Sequence, residues 1–361
     1  MTEEIPEIRI ALFGPSGSGK TTLLASYFGN QQRNGFEEAH GYRLEAEDAS
    51  DGNQLLARYY RMEGGEFPLG TENFSEHAFG LKVHQLPTPS LRIVWYDYPG
   101  GWWERTPADD AEKLERKAAI TKLLSSHVGV LLIDGQRLVQ DGAEYVCHTL
   151  DQFKNEARKI VDQLAAEGKP IEELPRQWVI AVSKADLLTE GATAEAVCKQ
   201  VVSDAADQLA GVARVFNARG FGKQYLLLAA VSADGSRVVD AHSYLGLQLI
   251  APVALLSVLD ELAQKAGRGR PAGLAKAILE RLAAFTDLID KLDDFLPIKY
   301  QVLTKLLKAL AVKEGLDKGA NYFREKQAKA ARSGKKIEAA VAAMKAELTS
   351  EAAQVAFFRN Q

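Results

Sequence analysis

Cysteine is scarce: Cys147 and Cys198 are the only two in 361 residues. A scaffold held by disulfides is excluded, and such low usage fits a reducing compartment, so a cytoplasmic location is expected. Long hydrophobic runs are missing too. The longest, Leu245 to Leu259, is interrupted by Gln248, Pro252 and Ser257 and falls short of the roughly 20 residues of a membrane-spanning helix. The first ten residues, MTEEIPEIRI, are acidic and carry no apolar core of the kind a secretory leader needs. Charge of one sign is also lacking. A formal net charge of -4 argues against nucleic-acid binding through bulk charge. The six histidines are scattered, and adjacent Cys147 and His148 do not have metal-ligand spacing, so no zinc site is expected. What the chain does have is 46% hydrophobic residues, ample material for a sizeable core and too much for a wholly disordered chain.

That apolar material is arranged in an alternating pattern. Short runs rich in Val, Ile, Leu and aromatics predict strands at Ile8–Phe13, Ala78–Leu86, Leu91–Tyr96, Val128–Ile133, Trp178–Val182 and Tyr225–Val231. Amphipathic stretches predict helices at Lys20–Tyr27, Gln54–Arg61, Asp109–Ser125, Ala143–Glu167, Ala194–Asn217 and Leu245–Lys265. Strand-helix alternation implies a doubly wound, mostly parallel α/β sheet. The tight connection LPTPSL makes the two strands beside it one antiparallel hairpin. A boundary falls at GRGRP, residues 267–271, dividing a first domain (1–266) from a second region (267–361). Beyond it no strand pattern is visible. Ile278, Leu282, Phe285, Ile289, Leu292 and Leu296 recur at helical steps, as do Ile337, Val341, Met344, Leu348 and Val355. The second region is therefore read as an α-helical appendage.

The strongest chemical signal is the run Gly14, Pro15, Ser16, Gly17, Ser18, Gly19, Lys20, Thr21, placed between a strand and a helix. It matches G-x-x-x-x-G-K-[ST] in the context that motif requires. Glycines let successive backbone N–H groups turn inward around a phosphate, and the helix that follows adds its positive end. Lys20 supplies a charge for the β- and γ-phosphates, and Thr21 a hydroxyl for Mg²⁺. Thr22 completes the set expected to hold the nucleotide. This loop does not choose between ATP and GTP; an ATPase or a nucleotide kinase would also use it, although the signature of a transporter ATPase is absent.

Three later stretches bear on that choice. Asp97-Tyr98-Pro99-Gly100 closes a strand. Asp97 is placed to hold Mg²⁺, and the Gly100 N–H to meet the γ-phosphate and release it after hydrolysis. Ser183-Lys184-Ala185-Asp186 follows another strand. A carboxylate there accepts two hydrogen bonds from the N1–H and the amino group of guanine, a donor pair that adenine lacks. The stem of Lys184 is expected along the base plane. In Ser232-Ala233-Asp234 the Ala233 N–H is placed for the guanine O6.

In order and placement these four motifs resemble those of the translation-factor-class P-loop GTPases, the Ras-like, septin and dynamin-type G domains, over roughly residues 7–265. The resemblance implies a GTP-binding, GTP-hydrolysing switch or assembly module with GTP/GDP and Mg²⁺ as cofactors. It departs from the family at Ser183, where Asn or Thr is usual. The resemblance also implies a threonine before the second strand that completes the Mg²⁺ shell, and Thr71 is the best match, with Thr88 a poorer one. Lys20, Thr71 and Gly100 are then the catalytic set. The long interval from Lys20 to Thr71 marks an insertion at about 30–68. The position that holds a water-orienting glutamine in the Ras pattern is Gly101 here, so turnover is slow or a group arrives from elsewhere. Arg43, Arg58, Arg61, Arg105, a partner protein or a second copy are the sources weighed. Trp102 and Trp103 are either core anchors or an exposed aromatic face. The switch loops or the C-terminal helices are the expected surfaces for a homodimer or protein partner. Seven basic residues against one acid between Lys318 and Lys336 read as a solvated helix face, or else as a contact for an anionic membrane surface or acidic partner. Two rival readings remain: a P-loop ATPase or nucleotide kinase, and a scaffold that binds nucleotide without hydrolysing it.

Overall fold

A computed structural model describes residues 7–83, 88–89, 91–168, 177–218, 221–234, 237–250 and 355–357. Its elements run in the order β1 (Glu7–Phe13), α1 (Lys20–Gln31), α2 (Phe36–His40), β2 (Tyr42–Ala46), α3 (Ala49–Glu63), β3 (Ser75–Val83) and β4 (Leu91–Asp97). Then come α4 (Asp110–Leu124), β5 (Val128–Asp134), α5 (Gly135–Ala166), β6 (Gln177–Ser183), α6 (Ala194–Asp204), α7 (Ala206–Val215) and β7 (Gln224–Leu227). A small hairpin of β8 (Ser232–Asp234) and β9 (Arg237–Asp240) follows, and β10 (Val355–Phe357) comes last.

The main sheet has eight strands in the order β10-β7-β6-β5-β1-β4-β3-β2. Its centre is parallel: β1 pairs with β4 and β5, β5 with β6, and β6 with β7. The central strand VGVLLID is buried at every residue, as a strand covered by helices on both faces must be. The antiparallel partner predicted for Leu91–Tyr96 is β3, in register from Ser75 opposite Asp97 to Leu81 opposite Leu91. The fold is thus the doubly wound α/β sheet that the alternation implies.

The structure corrects the expectation of no strand after residue 267. Val355, placed by its spacing on a helical stripe, lies in β10, antiparallel to β7. Val355 follows Leu348 by seven positions, a step that a helix accepts, so periodicity could not separate the two outcomes. What decides is the open edge of β7, whose backbone groups need partners. The predicted helical appendage otherwise lies outside the described residues, as does most of the predicted helix Leu245–Lys265. Within the described part of that helix, Leu245 instead bridges Ala229, and Leu247–Leu249 form one tight turn.

Other boundaries shift for local reasons. The fifth helix starts at Gly135, capped by the Asp134 carboxylate, and breaks at Gly142, where φ is 59°. Only the part after that break carries the helical pattern seen from Ala143. The predicted helix Ala194–Asn217 is two helices parted at Ala205. The predicted strand Tyr225–Val231 stops at Leu227, and Ser232–Asp234 forms a strand of its own. The stretch 30–68 contains α2, β2 and α3, with α3 longer than predicted because Asp48 caps it through the Asp51 N–H at 2.8 Å.

The core under the parallel strands is aromatic. Phe13 lies 5.2 Å from both Phe153 and Trp178, and Trp178 lies 4.7 Å from Phe216, centroid to centroid. Trp102 and Trp103 join this core and are buried, which makes them anchors. Among the described residues no helix is long and apolar enough to cross a membrane.

Candidate functional site

The loops that carry the motifs leave one edge of the sheet, outside the C-terminal ends of β1, β4, β6 and β7, where open α/β sheets bind ligands. After β1 the chain turns through Gly17 (φ 75°) and Gly19 (φ 88°), conformations that residues with a Cβ seldom adopt. Ser16 and Gly17 are exposed, while Ser18 and Lys20 are buried. The Ser18 hydroxyl donates to the Pro15 carbonyl at 2.8 Å. Lys20 Nζ donates to the carbonyls of Gly14 at 2.8 Å and Pro15 at 3.0 Å. Burial pulls the Lys20 pKa down to about 8, against the raising influence of Asp97 and Glu104. Thr22 follows, half-buried, on the first turn of α1.

Tyr98 locks this loop from below. Its hydroxyl accepts the Gly14 N–H at 3.0 Å and donates to the Gly14 carbonyl, and its ring lies 5.0 Å from Lys20 Nζ. Burial pushes its phenol well above the ordinary range. The D-x-x-G pattern does not specify this residue, and the sequence reading missed it.

Thr21, Thr71 and Asp97 converge. Thr21 Oγ1 lies 2.5 Å from Thr71 Oγ1 and donates to Asp97 Oδ2 at 2.9 Å; Thr71 Oγ1 donates to the same oxygen at 2.6 Å. Asp97 is fully buried. Two hydroxyls and one carboxylate within hydrogen-bond reach form a hard oxygen set. Such a set fits Mg²⁺, a cation that keeps water and phosphate as its other ligands. Among the described residues no cluster of three or more His, Cys, Asp or Glu side chains offers a metal site of another kind. Gly100 presses on the phosphate loop: a Cβ there would stand 2.6 Å from the Ser16 nitrogen and 2.8 Å from Lys20 Nζ.

The second half of the site is built on β6 and β7. The Ser183 hydroxyl is buried and donates to the Ile133 carbonyl at 3.3 Å, which ties β6 to β5. Lys184 takes a left-handed conformation (φ 51°) and pairs with Asp134 Oδ2 at 2.6 Å. Asp134 is buried, and its other oxygen caps α5 through the N–H of Gln136 at 2.9 Å. The sequence reading missed Asp134 because a single acid at a strand end looks like an ordinary helix cap. The Ala185 N–H donates to Leu228 O at 3.0 Å, joining this loop to the chain after β7. Desolvation lifts the Asp186 pKa above its ordinary value, opposed by its own N–H, the Ala233 N–H and the Lys184 charge. The structure therefore brings Asp186 and Ala233 together, with Ser232 next to Ala233 at a bulge opposite β9. Loops after β1 and β6 are separated by two strand spacings, about 10 Å, a distance a nucleotide spans.

Three of the four arginines weighed as catalytic groups have other partners. Arg43 pairs with Glu37 and Glu45, Arg61 with Glu66, and Arg105 with Glu112 at 2.5 Å. Arg58 is half-buried on α3.

A family model described as Double-GTPase 2 matches residues 8–228. No curated protein sequence matches the chain. Among solved structures, a signal recognition particle receptor SRb-GTP/SRX complex from Chaetomium thermophilum is 16% identical, with 64% of this chain and 94% of that one covered and a TM-score of 0.35. The G domain of the FeoB iron transporter from T. maritima is 12% identical, with 70% and 98% covered and a TM-score of 0.29. Translation elongation factor SelB from Methanococcus maripaludis, in complex with a GTP analogue, is 11% identical, with a TM-score of 0.28. The match covers 63% of this chain and only 30% of SelB.

Proposed function

The chain belongs to the Double-GTPase 2 family, and from that premise we propose that it is a translation-factor-class, Mg²⁺-dependent GTPase acting as a nucleotide-controlled switch. The observation that carries the proposal is the meeting of Thr21, Thr71 and Asp97 on one oxygen cluster beside Lys20. Thr71 comes from the loop before β3, Asp97 from the end of β4 and Thr21 from the start of α1. Three separate segments have no structural need to converge on a hard-cation site.

In this reading the backbone N–H groups from Ser16 to Thr21 wrap the phosphates, and Lys20 places its ammonium on the β- and γ-oxygens. Thr21, Thr71 and Asp97 hold Mg²⁺, which when bound neutralises charge that builds on the phosphate oxygens. Asp186 reads guanine, Lys184 lies along the base with its charge held by Asp134, and the Ala233 N–H faces O6. Gly100 meets the γ-phosphate through its N–H; the crowding at Ser16 leaves no space for a side chain there. Gly101 offers no group to orient water, so turnover by the chain alone is slow. A catalytic arginine supplied by a partner or second copy would raise the rate by roughly 10³–10⁵. Loss of the γ-phosphate frees Gly70–Glu76 and Asp97–Arg105, and the change is passed to a partner in the cytoplasm.

The test is a titration with labelled GTP and ATP, with Asp186→Asn for comparison. GTP binds more tightly than ATP, and the substitution lowers GTP affinity by at least about tenfold, the scale of one charge-assisted hydrogen bond. Equal affinity for both nucleotides removes the guanine assignment. Phosphate release followed over hours, with Lys20→Ala as the blank, tests hydrolysis; turnover equal to the blank leaves a nucleotide-stabilised scaffold.

A further inference from the structure

Glu104 places a carboxylate oxygen 2.7 Å from the backbone nitrogen of Ser16 and accepts its N–H. Both residues are exposed, so burial does not force the contact. The backbone on either side is held instead. Gln152 donates to the Trp103 carbonyl at 2.6 Å, and Arg116 donates to the carbonyls of Trp102 at 2.8 Å and Arg105 at 2.7 Å. The guanidinium of Arg105 is turned to Glu112, at 2.8 and 2.5 Å. The carboxylate of Glu104 is therefore delivered to the phosphate loop while Arg105 is held by Glu112, and Lys20 feels it.

The N–H in question is a particular one. Gly100, which faces the terminal phosphate in the function proposed above, packs directly on Ser16. The Ser16 N–H thus belongs to the γ-phosphate side of the loop, while Gly17 and Gly19 lie further along. A γ-phosphate oxygen and the Glu104 carboxylate require the same donor. Both are anions, so they repel as well as compete.

The geometry points to Glu104 as a resident anion in the terminal-phosphate position, a residue that sets the selectivity of the site between guanosine di- and triphosphate. The inference rests on the guanine-nucleotide reading of the site. The diphosphate is accommodated with the Glu104–Ser16 contact in place. The triphosphate binds only by expelling the carboxylate, and the turn Gly100–Trp103 is pulled with it. The third phosphate is then sensed by displacement of an internal competitor as well as by its bond to Gly100.

The experiment measures the affinities of GDP and of a non-hydrolysable GTP analogue for the full chain and for Glu104→Gln and Glu104→Ala. Removing the charge shifts the ratio of the two affinities toward the triphosphate by about tenfold, the scale of one lost charge-assisted competitor. Glutamine keeps the size of the side chain and still gains most of that shift, which separates charge from bulk. An unchanged ratio in both variants overturns the inference. So does slower hydrolysis by Glu104→Gln with an unchanged ratio, because Glu104 would then serve the attacking water. If the unaltered chain binds neither nucleotide, the guanine reading fails first and this inference falls with it.

Discussion

Lys20 carries its ammonium into a site where only 5% of its surface is exposed. Its pKa falls to about 8, with burial the largest cause. Between that value and the ordinary 10.5 the folded chain binds fewer protons at Lys20 than the unfolded chain does. In that window, raising the pH therefore removes a destabilising charge, and stability rises with pH. Nucleotide binding has the opposite sign. An anionic phosphate restores the ammonium, so binding above pH 8 takes up a proton and weakens by up to about tenfold per pH unit until the bound pKa is reached. Calorimetry at pH 9 in buffers of different ionisation enthalpy measures this uptake. Uptake approaching one proton is expected, and Lys20→Ala abolishes it. An uptake near zero in the unaltered chain would mean that Lys20 does not meet the phosphate. The lysine itself was legible in sequence because G-x-x-x-x-G-K-[ST] fixes its place. Glu104 and Asp134 were not, because their roles depend on contacts with residues 88 and 50 positions away.

The insertion helix α3 is tied to both halves of the site by one side chain. The Tyr59 hydroxyl donates to Asn30 Oδ1 at 3.0 Å on α1 and lies 2.9 Å from His242 Nδ1 just beyond β9. Asn30 donates to Ser26, and the Ser26 hydroxyl donates to Ala230 O ahead of β8. The phosphate-loop helix, the insertion and the hairpin that bears Ala233 therefore share one polar network, buried at Ser26, Asn30 and Tyr59. Burial and nearby Glu63 raise the Tyr59 pKa to about 12, so its hydroxyl keeps its proton through the neutral range. Tyr59→Phe keeps the ring but leaves Asn30 Oδ1 without its donor. A loss of about 1–3 kcal/mol is expected, read as a lower denaturation midpoint with an unchanged slope. GTP affinity falls less than in Asp186→Asn. An unchanged midpoint would show that the network contributes no net stability. The sequence revealed α3 through its periodicity but not its attachments. It missed β2 and α2 because elements of five residues hold too few periods to register. The centre of the sheet was legible because fully buried parallel strands are continuous apolar runs.

At the scale of the whole chain, the sheet is closed by residues from its far end. Val355–Phe357 lies against β7, with Val355 opposite Leu226 and Phe357 opposite Gln224. The strand it pairs with, β7, leads to Ser232 and Ala233. Without β10, β7 becomes the outer strand, and its unpaired N–H and C=O groups offer a template for another chain. Removing residues 355–361 should cost about 1 kcal/mol for each ladder hydrogen bond lost. It should also make association depend on protein concentration. Thermal melting and sedimentation of the shortened chain beside the full one measure the two effects separately. A lower melting temperature with no new association would mean that β10 stabilises the sheet but does not guard its edge. Neither change would mean that the strand contributes nothing to the domain it joins. Because β7 also leads into the hairpin proposed to read the base, the shortened chain should lose guanine affinity along with its stability, with the Lys20 proton uptake on binding unaltered.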